Sequence, residues 1–508
     1  MDGAARIIGA RTGARPARPA PMRRAIRARY DAAQTITENR KHWAMADSLS
    51  ANASNSASVR KTLRDRSRYE VANNSYAEGI LKTLANSTVG TGPRLQLLTA
   101  SEADNDKVEA LWSEWAQRVD LAGKLRLMRF TKAQDGEAFG LLVTDPAVPL
   151  GKVALDMRLV ECDRVMSPTG PTLDQPVDGV LLDALGRPRA YQVLRQHPGD
   201  PSFAVTMEAD LLPASAVLHY FTPTRPEQVR GVPEITSALP LFAQLRRYTL
   251  AVIAAAEVAA DHAAVIQSDV PPNEEGPVEG QAFDTVELEP RMATVLPQGW
   301  KLGQMEAVQP TTTFPEFKHE IINEMARGLS MPFNVAAGNS SGYNYASGRL
   351  DHQEYFRSLG IEQSVIERVI LDRLFAEWIG EAVLIEGFLP QSFRSKRPIL
   401  HQWFWDGNEH VDPEKEANAE ETQLRSGTTT KAERYGRRGR DWRVESGQRL
   451  AEDLVELEHT AQRLARAREL GLPDSVVIQE KPAAPAKPAA KPAQDEPEPS
   501  EKETADAA

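Results

Sequence analysis

Two hydrophobic periods divide the chain. From Tyr30 to Gln96 apolar residues recur mostly at helical spacing. Ser58–Val71 reads as a charged amphipathic helix. Asn73 and Asn74 are placed to cap a second helix from Ser75 toward Ser87, which the VGTG at Val89–Gly92 breaks. Leu111–Val119 sets Trp112 and Trp115 three apart on one helical face, a spacing that favours core packing. Between Gly136 and His219 the pattern changes to short apolar or alternating runs bounded by Gly, Pro and Asp: EAFGLLVTD, KVALDMRLV, DGVLLD and RAYQVLR. The last two are strands joined by a hairpin loop at Asp183–Gly186.

Helical spacing then returns over a long stretch. Glu234 to about Gln267 is Ala-rich, with Ile235, Leu239, Leu245, Val252 and Ala256 near one face, and predicts a rod of about 45 Å. Pro240 kinks this rod or marks its true start. Asp269–Pro310 is rich in Pro and Gly with strand-like fragments such as MATVLP, and Thr313–Leu329 is helical again. The following MPFNVAAGNSSGYNYASG reads as an ordered loop, before another helical run from Arg349 to about Leu384. Asp412-Pro413-Glu414 has the form of a helix start, and its helix ends near Ser426-Gly427. Thr430-Lys431-Ala432-Glu433 is a capping box opening the next helix. The expected class is α+β, mostly helical.

At 508 residues the chain exceeds what one hydrophobic core usually supports. Residues 1–29 carry eight arginines against one acid, and residues 477–508 carry four lysines against seven acids. The whole chain is at −11, so the body between these ends is distinctly acidic and poorly suited to gripping nucleic acid statically. The first segment reads as a mobile basic arm and the last, Pro- and Ala-rich without aromatics, as a disordered tail. The single cysteine, Cys162, excludes an intrachain disulfide framework and a cysteine-based zinc cluster. No apolar run reaches the length of a membrane span.

Several catalytic patterns fail on their context. Gly338-Asn339-Ser340-Ser341-Gly342 matches a nucleophile elbow, but neither flank reads as the required strand or helix. Gly90-Thr91-Gly92 lacks the third glycine of a dinucleotide fingerprint and precedes Pro93. His319-Glu320 opens like a zincin helix, yet Asn323 stands where the second histidine belongs. No Walker A sequence is present, so any nucleotide-driven motor is another protein. The close acids of Asp135-Gly136-Glu137 and Glu161-Cys162-Asp163-Arg164 suit acid–base or metal chemistry, but such groups are more often turns or salt-bridged strand ends. No cofactor or metal is expected, and no catalytic residue. The competing classes are a serine hydrolase using Ser340 and a helical scaffold without a channel.

A series of collinear motifs resembles the lambda-type phage portal family. They are Asn73-Asn74-Ser75-Tyr76 with the VGTG, Trp112 and Trp115 before Asp120, DGEAF at Asp135–Phe139 and ECDRV at Glu161–Val165. His219-Tyr220-Phe221 comes next, followed by the more specific Arg225-Pro226-Glu227-Gln228-Val229-Arg230-Gly231-Val232-Pro233. Asn344-Tyr345-Ala346-Ser347 with Arg349, VDPEKEANA at Val411–Ala419 and Gly439-Arg440-Asp441-Trp442 complete the series. The chain departs from the family pattern at Glu227, where glycine is commoner, at Asn339 for an aspartate and at Ala346 for a serine.

The resemblance implies the portal fold in a dodecameric ring at one capsid vertex, through which double-stranded DNA is packaged and ejected. It divides the chain into an arm (1–29), an α+β wing region (30–233), a stem helix (234–268), a clip (269–312) and a second stem helix (313–329). A tunnel loop region (330–348), a wing helix and return segment (349–411), a helical crown (412–476) and the tail (477–508) follow. The implied partners are identical subunits, DNA in transit, a terminase docking on the clip, capsid and scaffold proteins, and head-completion proteins. The implied location is the virion, after assembly in the bacterial cytoplasm. Asn339, Ser340, Asn344, Tyr345, Ser347 and Arg349 are the expected channel residues; His219, Arg225, Gln228, Arg230 and Gly231 are the family's motif.

Overall fold

The computed structural model describes residues 37, 40–168, 177–200, 208–260, 264–268, 300–304, 314–342, 344–394, 399–407, 413–437, 440–471 and 473. The arm, the tail, most of the clip including MATVLP, and Asp412 lie outside them.

The short α1 (Ala51–Ser54) precedes α2 (Ala57–Asn73) and α3 (Ser75–Val89). Of the two candidate caps, Asn74 is the one that acts: its Oδ1 accepts from the Tyr76 N–H at 3.1 Å. Gly90, with φ +56, ends α3 where a Cβ would lie 2.3 Å from the Asp406 carboxylate. β1 (Arg94–Leu97) leads to α4 (Glu102–Arg118) and α5 (Leu121–Asp135). Then come β2 (Glu137–Thr144), β3 (Leu155–Val160), β4 (Val180–Leu182), β5 (Pro188–Leu194), β6 (Ala209–Pro213) and β7 (Val217–Phe221). They form two antiparallel sheets in the orders β3-β2-β7 and β4-β5-β6. In the expected hairpin loop, Asp183 Oδ1 accepts from the Leu185 and Arg187 amides, and Gly186 takes φ +77.

The expected rod is shorter than its Ala-rich pattern suggested. The helix α6 is Leu239–Ala260, so Pro240 sits in its first turn, where the missing N–H costs nothing. Its 22 residues span about 33 Å. Ala264–Ser268, expected as the helix end, is strand β8, paired antiparallel with β9 (Trp300–Gln304). The β-branched Val265 and Ile266 fit a pleated strand as well as a helix face, and no Gly or Pro marked the change.

α7 (Phe314–Arg327) returns along α6: Tyr248 lies over Phe314 and Phe317, while Phe242 shares a core with Ile322 and Met325. The expected loop after it contains the helix α8 (Phe333–Ala337). α9 (Tyr345–Ile366) begins four residues before the expected Arg349 and continues through a π-turn at Glu367–Leu371 into α10 (Asp372–Ala382). β10 (His401–Phe404) pairs with β1 across about 300 residues of chain. α11 (Pro413–Arg425), α12 (Lys431–Arg437) and α13 (Trp442–Glu469) follow. Thr430 caps α12, its Oγ1 accepting from the Glu433 N–H at 3.1 Å, while the Glu433 carboxylate accepts from Thr429 Oγ1 at 3.0 Å.

Among the described residues three apolar cores hold this arrangement. In the first, Trp112 and Trp115 meet Phe375, Trp378 and Trp403. The second joins α3, the start of α6, α7, α8 and α9. The third lies between the sheets, around Phe139, Cys162, Tyr191 and Val217. The class is α+β. Among the described residues no helix is long and apolar enough to cross a membrane.

Candidate functional site

The family-motif residues converge on one buried carboxylate. Gly136, with φ +92, ends α5, and Glu137 opens β2. A Cβ on Gly136 would lie 2.4 Å from the Val232 carbonyl carbon, and one on Gly231 would lie 2.1 Å from the Gly136 oxygen. Only glycines let these two backbones cross in contact. The crossing brings Gly231 N–H to Glu137 Oε2 at 2.9 Å.

Glu137, fully buried, also accepts from four side-chain donor atoms. Arg64 Nη2 donates at 2.5 Å and Arg230 Nη2 at 2.7 Å to Oε1, Arg230 Nε reaches both oxygens at 3.0 Å, and His219 Nε2 meets Oε2 at 3.0 Å. Burial alone would raise this carboxyl, but the Arg230 charge, the His219 hydrogen bond and Arg64 hold it well below the usual range. It is therefore an anion. Burial pushes the His219 imidazole down against the pull of Glu137, so the ring is neutral near pH 7. A neutral ring that donates from Nε2 must accept at Nδ1, and the Tyr191 hydroxyl lies 3.2 Å from that atom. Phe139 and Phe221 stack on the ring, each with centroids at 4.3 Å.

Around this centre the cations continue. Arg230 Nη1 donates to Val165 O at 2.8 Å and Asp178 O at 2.7 Å. Arg60 pairs with Asp178 at 3.1 Å, Arg64 with Asp163 at 3.1 Å, and Arg68 with Asp135 at 2.6 Å and Asp163 at 2.7 Å. The acid-rich DGE and ECDR segments thus serve as counter-ions to arginines. Glu161, Asp163 and His197 also bring ligand atoms within 4.8 Å of one another. His197 Nδ1 accepts from the Gly199 N–H at 3.0 Å, so in the neutral ring the proton sits on Nε2, the nitrogen that faces the acids. With Arg68 against Asp163 as well, this donor set is poorly suited to a cation.

The rest of the motif clasps α1 and the residues beside it. Arg225 donates to Ser54 Oγ at 3.2 Å and Leu49 O at 3.0 Å. Gln228 Oε1 accepts from Thr224 N at 2.9 Å, while its Nε2 donates to Arg230 O at 2.8 Å. Asn52 and Asn55 bond Glu227 O and Arg230 O. Glu227 itself has φ +64, a left-handed conformation that favours glycine. This explains why glycine is the commoner residue there.

A second ionic cluster anchors the segment that leads into α6. Glu234 pairs with Arg129 at 3.0 Å and Lys132 at 3.2 Å, and Lys132 pairs with Glu362 of α9 at 2.5 Å. The Tyr220 hydroxyl also bonds Glu362. Burial would raise Glu234, but Arg129 and Lys132 outweigh it and lower its pKa.

The expected channel residues lie elsewhere, beside the second core. Gly338, with φ +61, ends α8, and Asn339 Oδ1 accepts from the Ser341 amide at 2.9 Å and its hydroxyl at 2.7 Å. Asn339, Ser340 and Asn344 are exposed, and the Asn344 carbonyl accepts from the Gly348 N–H at 3.1 Å. Tyr345 and Ser347 occupy the first turn of α9, with Arg349 exposed just beyond. Ser340 therefore follows a helix, and the strand that a nucleophile elbow needs is not its neighbour.

Arg60, Arg64, Arg68, Asn52 and Asn55 were missed in the sequence. A signal was present: three arginines spaced by four lie on one face of the predicted helix.

Residues 37–363 match the model of the family described as phage portal protein, lambda family, and the chain belongs to that family. Among curated proteins, a "Probable portal protein" of Halomonas phage phiHAP-1 is 25% identical over 415 residues, covering 75% of this chain and 78% of that one. Among solved structures, a chain of the "Virion of native gene transfer agent (GTA) particle" is 14% identical with a TM-score of 0.38, over 73% of this chain and 92% of that one. A chain of the "Neck of native GTA particle computed with C12 symmetry" is 13% identical with a TM-score of 0.36, over the same shares.

Proposed function

We propose that the chain is the subunit of a closed, head-to-tail ring at a capsid vertex of a phage particle, and that double-stranded DNA passes through its centre. The observation that carries the ring is the α6/α7 pair, an antiparallel unit whose lead-in segment is anchored by Glu234 and that leaves Leu250, Ile253 and Phe317 exposed. Apolar surface of this kind on paired helices is what a neighbouring copy covers. In this reading α6 and α7 are the stem, β8 and β9 begin and end the clip, and α11 to α13 belong to the crown. The segment from α8 to the start of α9 is the tunnel loop, and the buried lattice stiffens the wing.

The polar loop suits contact with a moving duplex. Asn339, Ser340 and Asn344 are small and exposed and offer hydrogen bonds without ion pairing, while Arg349 adds one phosphate contact. An acidic body confines DNA without holding it. A terminase would dock on the clip, capsid and scaffold proteins around the wing, and head-completion proteins after packaging. The basic arm would meet acidic scaffold or DNA.

Negative-stain microscopy with mass measurement of the purified chain tests this. Closed rings with a central hole are expected; monomers or open filaments at every salt and protein concentration would overturn the reading in favour of a scaffold. Labelling by an organophosphate probe that disappears in Ser340→Ala would instead establish a hydrolase.

A further inference from the structure

α13 is a 28-residue helix with α12 packed beside it, yet every residue from Ser446 to His459 is exposed. Its surface is nonetheless patterned. At about 100° per residue, Leu450, Leu454, Leu457 and Leu464 fall on a stripe about 80° wide. Val444, Ala451 and Val455 form a second stripe about 120° around the helix from the first. The remaining arc carries Glu445, Gln448, Arg449, Glu452, Asp453, Glu456, His459 and Arg463. Leu450, Leu454 and Leu457 are 61%, 53% and 65% exposed, and Val444 and Val455 are 66% and 51% exposed. An amphipathic helix of this length is stabilised mainly by covering its apolar face.

We infer that α13 is a subunit interface of two unlike faces, the leucine stripe of one copy packing on the valine stripe of the next to form a collar of parallel helices. The occupant follows from three features. A single stripe would suit a two-fold pair, whereas two stripes set apart around the helix suit neighbours on both sides, as a head-to-tail ring requires. The stripes are also complementary in charge: Arg468 lies in line with the leucines and Glu469 in line with the valines, so rotation to the next copy brings opposite charges to one height. Glu469 pairs with Arg466 of its own helix at 2.7 Å, an exposed contact that is readily exchanged. Finally, the 35 residues after Pro473 contain no Leu, Met or aromatic residue, so no second leucine pattern follows in the sequence.

This inference rests on the ring proposed above and names a surface of it. Its test is disulfide trapping in the full chain, since the native Cys162 is buried. Leu454→Cys and Val455→Cys chains are expressed separately and together, then oxidised mildly. The co-expressed preparation is expected to yield at least tenfold more covalent dimer than either chain alone, and the double variant a ladder up to the full ring. Dimer formation by either single variant alone to the same extent would overturn the two-faced interface in favour of a two-fold one. Rings of correct mass without any trapping would overturn the collar and leave the ring standing, whereas wild-type chains that form no ring would fail the ring itself. In Leu454→Glu the α13 contact is lost; Glu452→Ala on the polar arc leaves assembly unchanged.

Discussion

Glu137→Gln isolates what the buried lattice contributes. The change keeps the shape of the side chain but removes the charge that Arg64 and Arg230 face, and those arginines are only 5% and 1% exposed. A buried pair broken on one side costs about 3–5 kcal/mol, because the remaining charge is stranded away from water. Here two arginines and the Gly231 amide share the same acceptor, which places the loss toward the upper end of that range. Urea slopes are about 1–3 kcal/mol per M, so the unfolding midpoint of the sheet-containing region should fall by at least about 1 M. Pulse proteolysis in urea, reading fragments that contain residues 137–233, measures it. Adding Arg230→Met to Glu137→Gln removes one stranded charge and should recover part of the loss, since a buried pair replaced by apolar groups is often neutral. A midpoint shift below about 0.3 M for Glu137→Gln would refute the argument that this carboxylate organises the sheet-containing region. So would a double variant that is less stable by the sum of the two single losses.

Glu227→Gly relieves a left-handed backbone worth about 1–2 kcal/mol, partly offset by the greater freedom of glycine in the unfolded chain. The same proteolysis assay should therefore show a gain of about 0.5–1 kcal/mol; a loss would show that the Glu227 side chain matters more than its backbone. Trp112→Ala empties the centre of the first core, where four aromatic rings meet it, and should cost about 3–5 kcal/mol by thermal or urea unfolding. The pH dependence has a defined sign. His219 has a depressed pKa in the fold, so its stabilising contribution is present above the unfolded value near 6.5 and is lost as pH falls through the folded value. Glu137, also lowered, makes its full contribution above its unfolded value near 4.3 and loses it progressively as pH falls from there toward the folded value. Stability should thus first decline below about pH 6.5, and His219→Asn should flatten that step while leaving the later acid unfolding in place. An unchanged step in the variant would assign it to another group.

Much of the fold was legible because periodicity reports which face of an element is apolar. The helices α2, α3, α4 and α7, the strands β2 to β5, the Asn74 cap and the Thr430 cap all rest on signals within a few residues of one another. Glu227 was singled out from its motif alone, and its φ supplies the physical reason. The motif residues His219, Arg225, Gln228, Arg230 and Gly231 were also found in sequence, though not what they touch.

Tertiary structure decided what covers each face and which charges pair. Arg60, Arg64 and Arg68 on a predicted helix read equally well as a solvated row; burial against Glu137, Asp135, Asp163 and Asp178 makes them structural. Their partners lie about 70 to 120 residues away, and no local rule specifies such a distance. The same holds for β1, whose partner β10 is about 300 residues on, and for Ala264–Ser268, which became a strand because β9 was there to accept its hydrogen bonds. An apolar pattern states that a face must be buried, whereas the identity of its cover depends on the packing of the whole chain.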